Sequence, residues 1–213
     1  MWRLGGSACV EPETTYTYSN YGFDVLGSVL AVLWGYDGWN DLADDVLYTP
    51  LGMGHTCREA GSCFPDWNTS HAFGFDSTGN HVDLPGFPAA ATAEGGLFTT
   101  GADMAKWLLF LTGYGPASTT RQRDLVGVPA TISGSLADGH GWSFDFRSLK
   151  FNDGKTDTVR VKGGYLPGMT TYLSIDDTRH AAVFVYVNRD PDTDSQDTIL
   201  RSDFVEPILK TLN

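Results

Sequence analysis

A chain of 213 residues has room for one domain with a sizeable core, or for a large piece of a bigger one. Its net charge of −12 comes from 21 Asp and 5 Glu against 14 Lys plus Arg. That balance argues against a nucleic-acid partner, because phosphate binding needs clustered cations. A hydrophobic content of 41% argues against disorder, and no run of about 18 consecutive apolar residues offers a transmembrane segment.

The first residues, Met1-Trp2-Arg3-Leu4-Gly5-Gly6-Ser7, hold no apolar core of signal-peptide length. Residues up to 20 read as irregular. From Asn20, the residues Phe23, Leu26, Leu30 and Leu33 recur at helical spacing, with Ser19 or Asn20 able to cap the free N–H groups and Gly35 and Gly38 to stop the helix. A second short helix is expected over Trp39 to Leu47, ended by Pro50 and Gly52.

Residues 54–92 show no period and read as a covering loop or insertion. They contain Cys57 and Cys63, which can close a small disulfide in an oxidising compartment or remain two thiols. Cys9 is left over, and Asn68-Thr69-Ser70 matches a glycosylation sequon. Thr100-x-x-Asp103 reads as a capping box for a helix bearing Met104, Leu108 and Leu111, ended by Gly113.

From about residue 140 the period becomes two. Trp142, Phe144 and Phe146 alternate with polar residues, as do Val159 and Val161 with Arg160 and Lys162. Thr171 to Ile175 and Ala181 to Val187 are expected to form an antiparallel hairpin about Asp176-Asp177, the second strand being covered on both faces. A final helix presents Val205, Ile208, Leu209 and Leu212, restarting or kinking at Pro207. Strands followed by a covering helix indicate a layered α/β domain.

Two tripeptides carry chemistry. Lys162-Gly163-Gly164 ends a β-run, where a glycine lets a ligand approach the backbone and a lysine can bind a carboxylate or stabilise developing negative charge. Tyr18-Ser19-Asn20 lies at a loop-to-helix junction. Taken singly, each is as readily a turn or a cap.

The residues around them are more specific. Tyr18-Ser19-Asn20-Tyr21-Gly22-Phe23-Asp24-Val25-Leu26-Gly27 resembles the Tyr-Ser-Asn segment of the β-lactamase-related serine hydrolases. That group includes class C β-lactamases, D-Ala-D-Ala carboxypeptidases and family VIII esterases. Pro50-Leu51-Gly52-Met53, the segment from Gly95-Gly96-Leu97 to Trp107-Leu108, Lys162-Gly163-Gly164-Tyr165-Leu166-Pro167-Gly168-Met169 and Asn188-Arg189-Asp190 resemble further segments in the group's order.

The resemblance implies an α-β-α sandwich of the β-lactamase/transpeptidase type, with an antiparallel sheet and a helical subdomain. It implies one partial domain over 1–213, with a helical and loop part at about 20–138 and the sheet and last helix at about 139–213. It implies acyl-enzyme hydrolysis of amides or esters without a cofactor, on a small-molecule, peptide or ester substrate, in a periplasmic or secreted setting. By position, Tyr18 matches the general base and proton donor, Lys162 the lysine that stabilises the tyrosine anion, Asn20 and Gly164 the substrate-binding residues, and the Tyr165 N–H one oxyanion donor. A free phenol is a poor base at neutral pH, and a neighbouring ammonium favours its anion.

Two departures stand out. Lys162-Gly163-Gly164 replaces the group's frequent Lys-Thr-Gly, which shifts weight from β-lactams and D-peptides toward a broader hydrolase or esterase. Moreover, no serine of the chain has a lysine three residues on, the spacing that puts both on one helical face. The expectation is therefore roughly the C-terminal two-thirds of such a hydrolase, impaired in turnover, lacking its N-terminal part or completed by another chain. Its last strand should keep an uncovered edge. The alternative is a non-catalytic binding or regulatory module on the same fold. His55, His71, His81, His140 and His180 show no metal-ligand spacing. The aspartates at Asp190, Asp192, Asp194 and Asp197 lack the glycine and glutamate of a calcium loop.

Overall fold

The computed structural model describes residues 16–58, 60–64, 71–83, 93–121, 123, 131–135, 138–141, 143–190 and 199–212. Cys9, the sequon at Asn68, Trp142, Asp192, Asp194 and Asp197 lie outside the described residues.

Helix α1 (Asn20–Leu33) opens on Ser19, not Asn20, as its cap: the Ser19 hydroxyl accepts from the Gly22 N–H at 2.9 Å. Its apolar stripe does not face inward. Phe23, Leu26 and Leu33 are exposed, while Gly27 and Ala31 are buried. The reason is close approach: a Cβ on Gly27 would meet the Ala93 Cβ at 2.4 Å and the Trp39 ring at 3.3 Å. The smallest residues therefore make the contact.

Helix α2 (Trp39–Ala43) continues through a π-helical turn (Asp44–Tyr48) into α3 (Thr49–Leu51). Pro50 does not end this segment, contrary to the sequence pattern. It lies two residues after the π turn, inside α3, and the chain turns at Gly52, whose φ is +69°. A short helix, α4 (Ala60–Cys63), and a two-stranded hairpin of β1 (Gly74–Phe75) and β2 (His81–Val82) occupy the stretch without a period. Helix α5 (Gly101–Leu111) has the expected cap, Thr100 Oγ1 accepting from the Asp103 N–H at 3.2 Å.

The main sheet is an antiparallel meander in chain order: β3 (Thr131–Ser135), β4 (Asp138–Gly141), β5 (Asp145–Lys150), β6 (Thr156–Leu166), β7 (Met169–Asp176) and β8 (Ala181–Val187). After it come a π-helical turn (Leu200–Val205) and α6 (Glu206–Lys210). Leu149, Val159, Val161 and Tyr172 pack on Leu200, Val205 and Leu209. The opposite face sets Leu173 and Ile175 on Phe110 and Leu111 of α5, with Leu51 and Met53. Helix, sheet and helix thus form the three layers of the β-lactamase/transpeptidase-like sandwich. Strand β8 has partly buried residues toward both layers and, among the described residues, no strand on its outer edge.

Two details depart from the sequence pattern. Ile208 is exposed although Val205 and Leu209 are fully buried; the π turn changes the helical phase just before Pro207 restarts an α turn. Arg160 is buried rather than facing solvent between Val159 and Val161. Its guanidinium grips Asp177 with two bonds, at 2.8 and 2.6 Å, and lies 5.0 Å from the Phe144 ring centroid.

Candidate active site

Strand β6 is longer than its neighbour. Its ladder with β5 stops at the Asp145–Val161 pair, whereas its ladder with β7 runs on to the Leu166–Met169 pair. Residues 162–166 therefore extend beyond the β5 ladder, and Lys162, Gly164 and Tyr165 lie on this extension.

The glycine at 164 has a steric reason. A Cβ there would meet the Thr171 Oγ1 of β7 at 2.5 Å, so any side chain at 164 would force the Thr171 side chain of this cross-strand pair to move. Tyr165 is 58% exposed. Partial burial, then the charge and hydrogen bond of Asp190, push its phenol up from the usual value. Asp190 also accepts from the Gly168 N–H, and its own N–H donates to the Phe75 carbonyl at 2.7 Å. The hairpin of β1 and β2 is thereby tied to the β6–β7 turn; Asn188 Nδ2 adds a bond to the Phe73 carbonyl at 2.9 Å.

Tyr18 approaches from the other side. It sits just before the capping Ser19, 59% exposed, with the Lys162 Nζ 5.2 Å from its ring centroid. Among the described residues, Lys162 forms no ion pair, so its cation is available to this phenol or to a ligand. Asn20 is exposed in the first turn of α1. Of the five residues singled out from sequence, the structure brings Tyr18 and Lys162 together and sets Gly164 and Tyr165 on the same strand as Lys162. Asn20 lies two residues from Tyr18, and among the described residues no hydrogen bond joins it to Lys162.

Sequence reasoning missed the group beside Tyr18. The Tyr16 ring stacks on His140 with centroids 4.2 Å apart and planes 2° from parallel. His140 Nδ1 lies 2.8 Å from the Asp145 carboxylate, its cross-strand neighbour. Gly139-His140-Gly141 gave the available signal, a lone imidazole between two glycines where the period changes to two.

The helical layer is braced by Asp103. This fully buried carboxylate accepts from the His55 N–H at 2.7 Å, the Thr56 hydroxyl at 3.1 Å and the Lys106 ammonium at 2.8 Å. Burial opposes its ionisation, but these donors outweigh burial and hold the carboxyl below its usual value. Next to it Cys57 and Cys63 are joined by a disulfide, and Cys57 exchanges two backbone bonds with Phe98, at 2.9 and 2.8 Å. Among the described residues, no group of three His, Cys, Asp or Glu side chains could hold a metal ion, and no helix is long and apolar enough to cross a membrane.

A family model described as Beta-lactamase matches residues 4–205. Among solved structures, the beta-lactamase from Sulfitobacter sp. EE-36 superposes with a TM-score of 0.69 at 19% identity, covering 85% of this chain and 56% of that one. The class C beta lactamase from Rhodobacter sphaeroides gives 0.72 at 18%, covering 92% and 61%. The Beta-Lactamase/D-Alanine Carboxypeptidase from Pseudomonas syringae gives 0.70 at 14%, covering 86% and 57%. The chain thus spans less than two-thirds of the length of these structures. No curated protein sequence matches it.

Proposed function

Since this chain belongs to the Beta-lactamase family, we propose that it supplies the base-and-lysine part of a serine hydrolase that cleaves amides or esters through an acyl-enzyme. The observation that carries this reading is the placement of the Lys162 ammonium 5.2 Å from the Tyr18 ring centroid, beside the extended end of β6. The proposed roles for Tyr18, Lys162, Asn20, Gly164 and Tyr165 follow from their match to the family's segments.

In this mechanism Tyr18 takes the proton from a serine hydroxyl as its oxygen bonds to the substrate carbonyl carbon. The tetrahedral oxyanion is met by the Tyr165 N–H. Tyr18 then returns the proton to the leaving nitrogen or oxygen as the old bond breaks. Water repeats the sequence on the acyl-enzyme. Lys162 stabilises the tyrosine anion before Tyr18 takes the proton and after it gives the proton up, a Coulombic effect that grows as substrate excludes water. Gly163 stands where many relatives carry threonine, and the absent hydroxyl favours esters over ligands anchored by a carboxylate.

The serine comes from outside the Tyr18–Lys162 pair, because no Ser-x-x-Lys occurs in the 213 residues. We propose that the polypeptide bearing it adds a strand to the edge of β8 that no strand of the described residues covers, and covers the exposed apolar residues of α1, such as Val29, Val32 and Leu33. The test is to express the chain with the in-frame residues encoded upstream and to assay a chromogenic cephalosporin and a short p-nitrophenyl ester. Turnover with burst kinetics in the extended protein, and none in the 213-residue chain, is the expected result. Inactivity of an extended protein that contains Ser-x-x-Lys would refute the assignment.

The absent nucleophile also favours a second reading, a non-catalytic module that binds such ligands reversibly. It predicts saturable binding of a fluorescent penicillin with no adduct surviving denaturation.

A further inference from the structure

Tyr18 belongs to neither a helix nor a strand. It lies in the irregular segment 16–19, and its side chain is exposed. A proton-transfer group held so loosely would not keep its place against Lys162, since such groups need support within about 0.5 Å. Two anchors flank it. On one side Ser19 caps α1 through its 2.9 Å bond to the Gly22 N–H. On the other, Tyr16 lies flat on His140, 4.2 Å between centroids.

The second anchor is built, not incidental. His140 sits on β4 directly across from Asp145 on β5. Its Nδ1–H donates to the Asp145 Oδ1 at 2.8 Å, which fixes the plane of the imidazole. Asp145 is in turn paired in register with Val161, the residue before Lys162. The chain of contacts from Tyr16 through His140 and Asp145 therefore ends beside the lysine that Tyr18 must meet. The neighbours are close enough to matter electrostatically: burial first, then the charges of Asp145 and Tyr18, push the Tyr16 phenol up.

We propose that Tyr16, His140 and Asp145 form a positioning clamp that holds Tyr18 over Lys162. Its catalytic relevance rests on the reading of Tyr18 and Lys162 given above; its geometry does not. His140 and Tyr16 are positioning residues, acting through the backbone of 16–19 without touching substrate. The flat stack carries the hold, and Asp145 orients the imidazole.

The test needs no turnover. The chain has five lysines, so labelling with [ε-13C]lysine gives a spectrum in which Lys162 is identified by its loss in Lys162→Arg. The shift of the Lys162 ε-protons between wild type and Tyr18→Leu measures the ring-current contribution of Tyr18. In His140→Ala and in Tyr16→Ala, more than half of that contribution is expected to disappear. In His140→Phe, which keeps a flat ring, most of it is expected to remain. The Tm of the three variants is expected to stay within about 3 °C of wild type, an effect below about 1 kcal/mol. Full retention of the Tyr18 contribution in both His140→Ala and Tyr16→Ala overturns the clamp. So does a loss in His140→Phe as large as in His140→Ala. Inactivity toward both substrates of an extended protein that contains Ser-x-x-Lys refutes the hydrolase reading but leaves these shifts untouched.

Discussion

Lys162 and Tyr18 lie 144 residues apart in sequence, yet the ammonium of one sits 5.2 Å from the ring centroid of the other. The meeting depends on β6 running past the end of the β5 ladder and on Ser19 capping α1. In a serine-bearing extended form, Tyr18→Phe is expected to lower kcat by about 10²–10⁴-fold, the usual contribution of a positioned acid–base group. Lys162→Ala should reduce kcat/KM to a similar degree. Stopped-flow acylation with a p-nitrophenyl ester measures both.

The Gly164–Thr171 pair predicts a steric coupling. Gly164→Ala should destabilise the chain by about 1–3 kcal/mol, as overpacking does, because the new methyl meets the Thr171 hydroxyl at 2.5 Å. Thr171→Ala removes the obstacle, so the double variant should recover most of the loss. Urea midpoints for the four proteins give the interaction energy directly.

Asp103 sets an acid limit on the helical layer. Its carboxyl is held below the usual value in the folded chain, so the unfolded chain binds a proton first as pH falls. Its contribution is complete above the unfolded value of about 4 and is lost as pH falls through the lower folded one. Asp103→Asn should lower stability at pH 7 and flatten the fall below about pH 4. Thermal melts from pH 7 to pH 2.5 check both points.

Tyr48 sets the opposite limit. Burial, helped by Asp44, pushes its phenol up to about 12. The unfolded chain therefore loses this proton first, near pH 10, and stability falls as pH rises from there toward 12. Tyr48→Phe should remove this part of the decline, which is on the order of 2–3 kcal/mol. Denaturant midpoints at pH 8, 10, 11 and 12 measure it, with about half of the effect expressed by pH 11.

The Cys57–Cys63 disulfide closes a short loop next to the Asp103 brace. Reduction should cost about 2 kcal/mol, the loop-closure value for so few residues. Melts with and without reductant, on wild type and on Cys57→Ser, provide the check.

Much of this fold could be read from the sequence because one residue type decided each feature. The Thr100 cap and the hairpin from β7 to β8 followed from local pattern, and the three-layer sandwich from the ordered family segments. What was not legible depended on contacts between distant residues. The apolar stripe of α1 looked like a core face, but Gly27 packs closest, since only a bare Cα admits both Ala93 and Trp39. Arg160 looked like an outward residue of an alternating strand, until Asp177 was found to satisfy it. The two π turns, at Asp44–Tyr48 and Leu200–Val205, have no composition that announces them, and each shifted a helix's register. At the site, the segments singled out Tyr18 and Lys162, and the structure sets the ammonium 5.2 Å from the ring centroid. Tyr16, His140 and Asp145 were not, because a stack and a cross-strand bond carry no sequence spacing.

The central claim is that Tyr18 and Lys162 serve a serine that the 213-residue chain does not contain. Incubating this chain and its upstream-extended form with a fluorescent penicillin, followed by a denaturing gel, tests it most directly. The account predicts no covalent band on the chain itself and a band on the extended form that Tyr18→Phe strongly weakens. A covalent band on the 213-residue chain, mapped by peptide mass to one of its own serines, would contradict it.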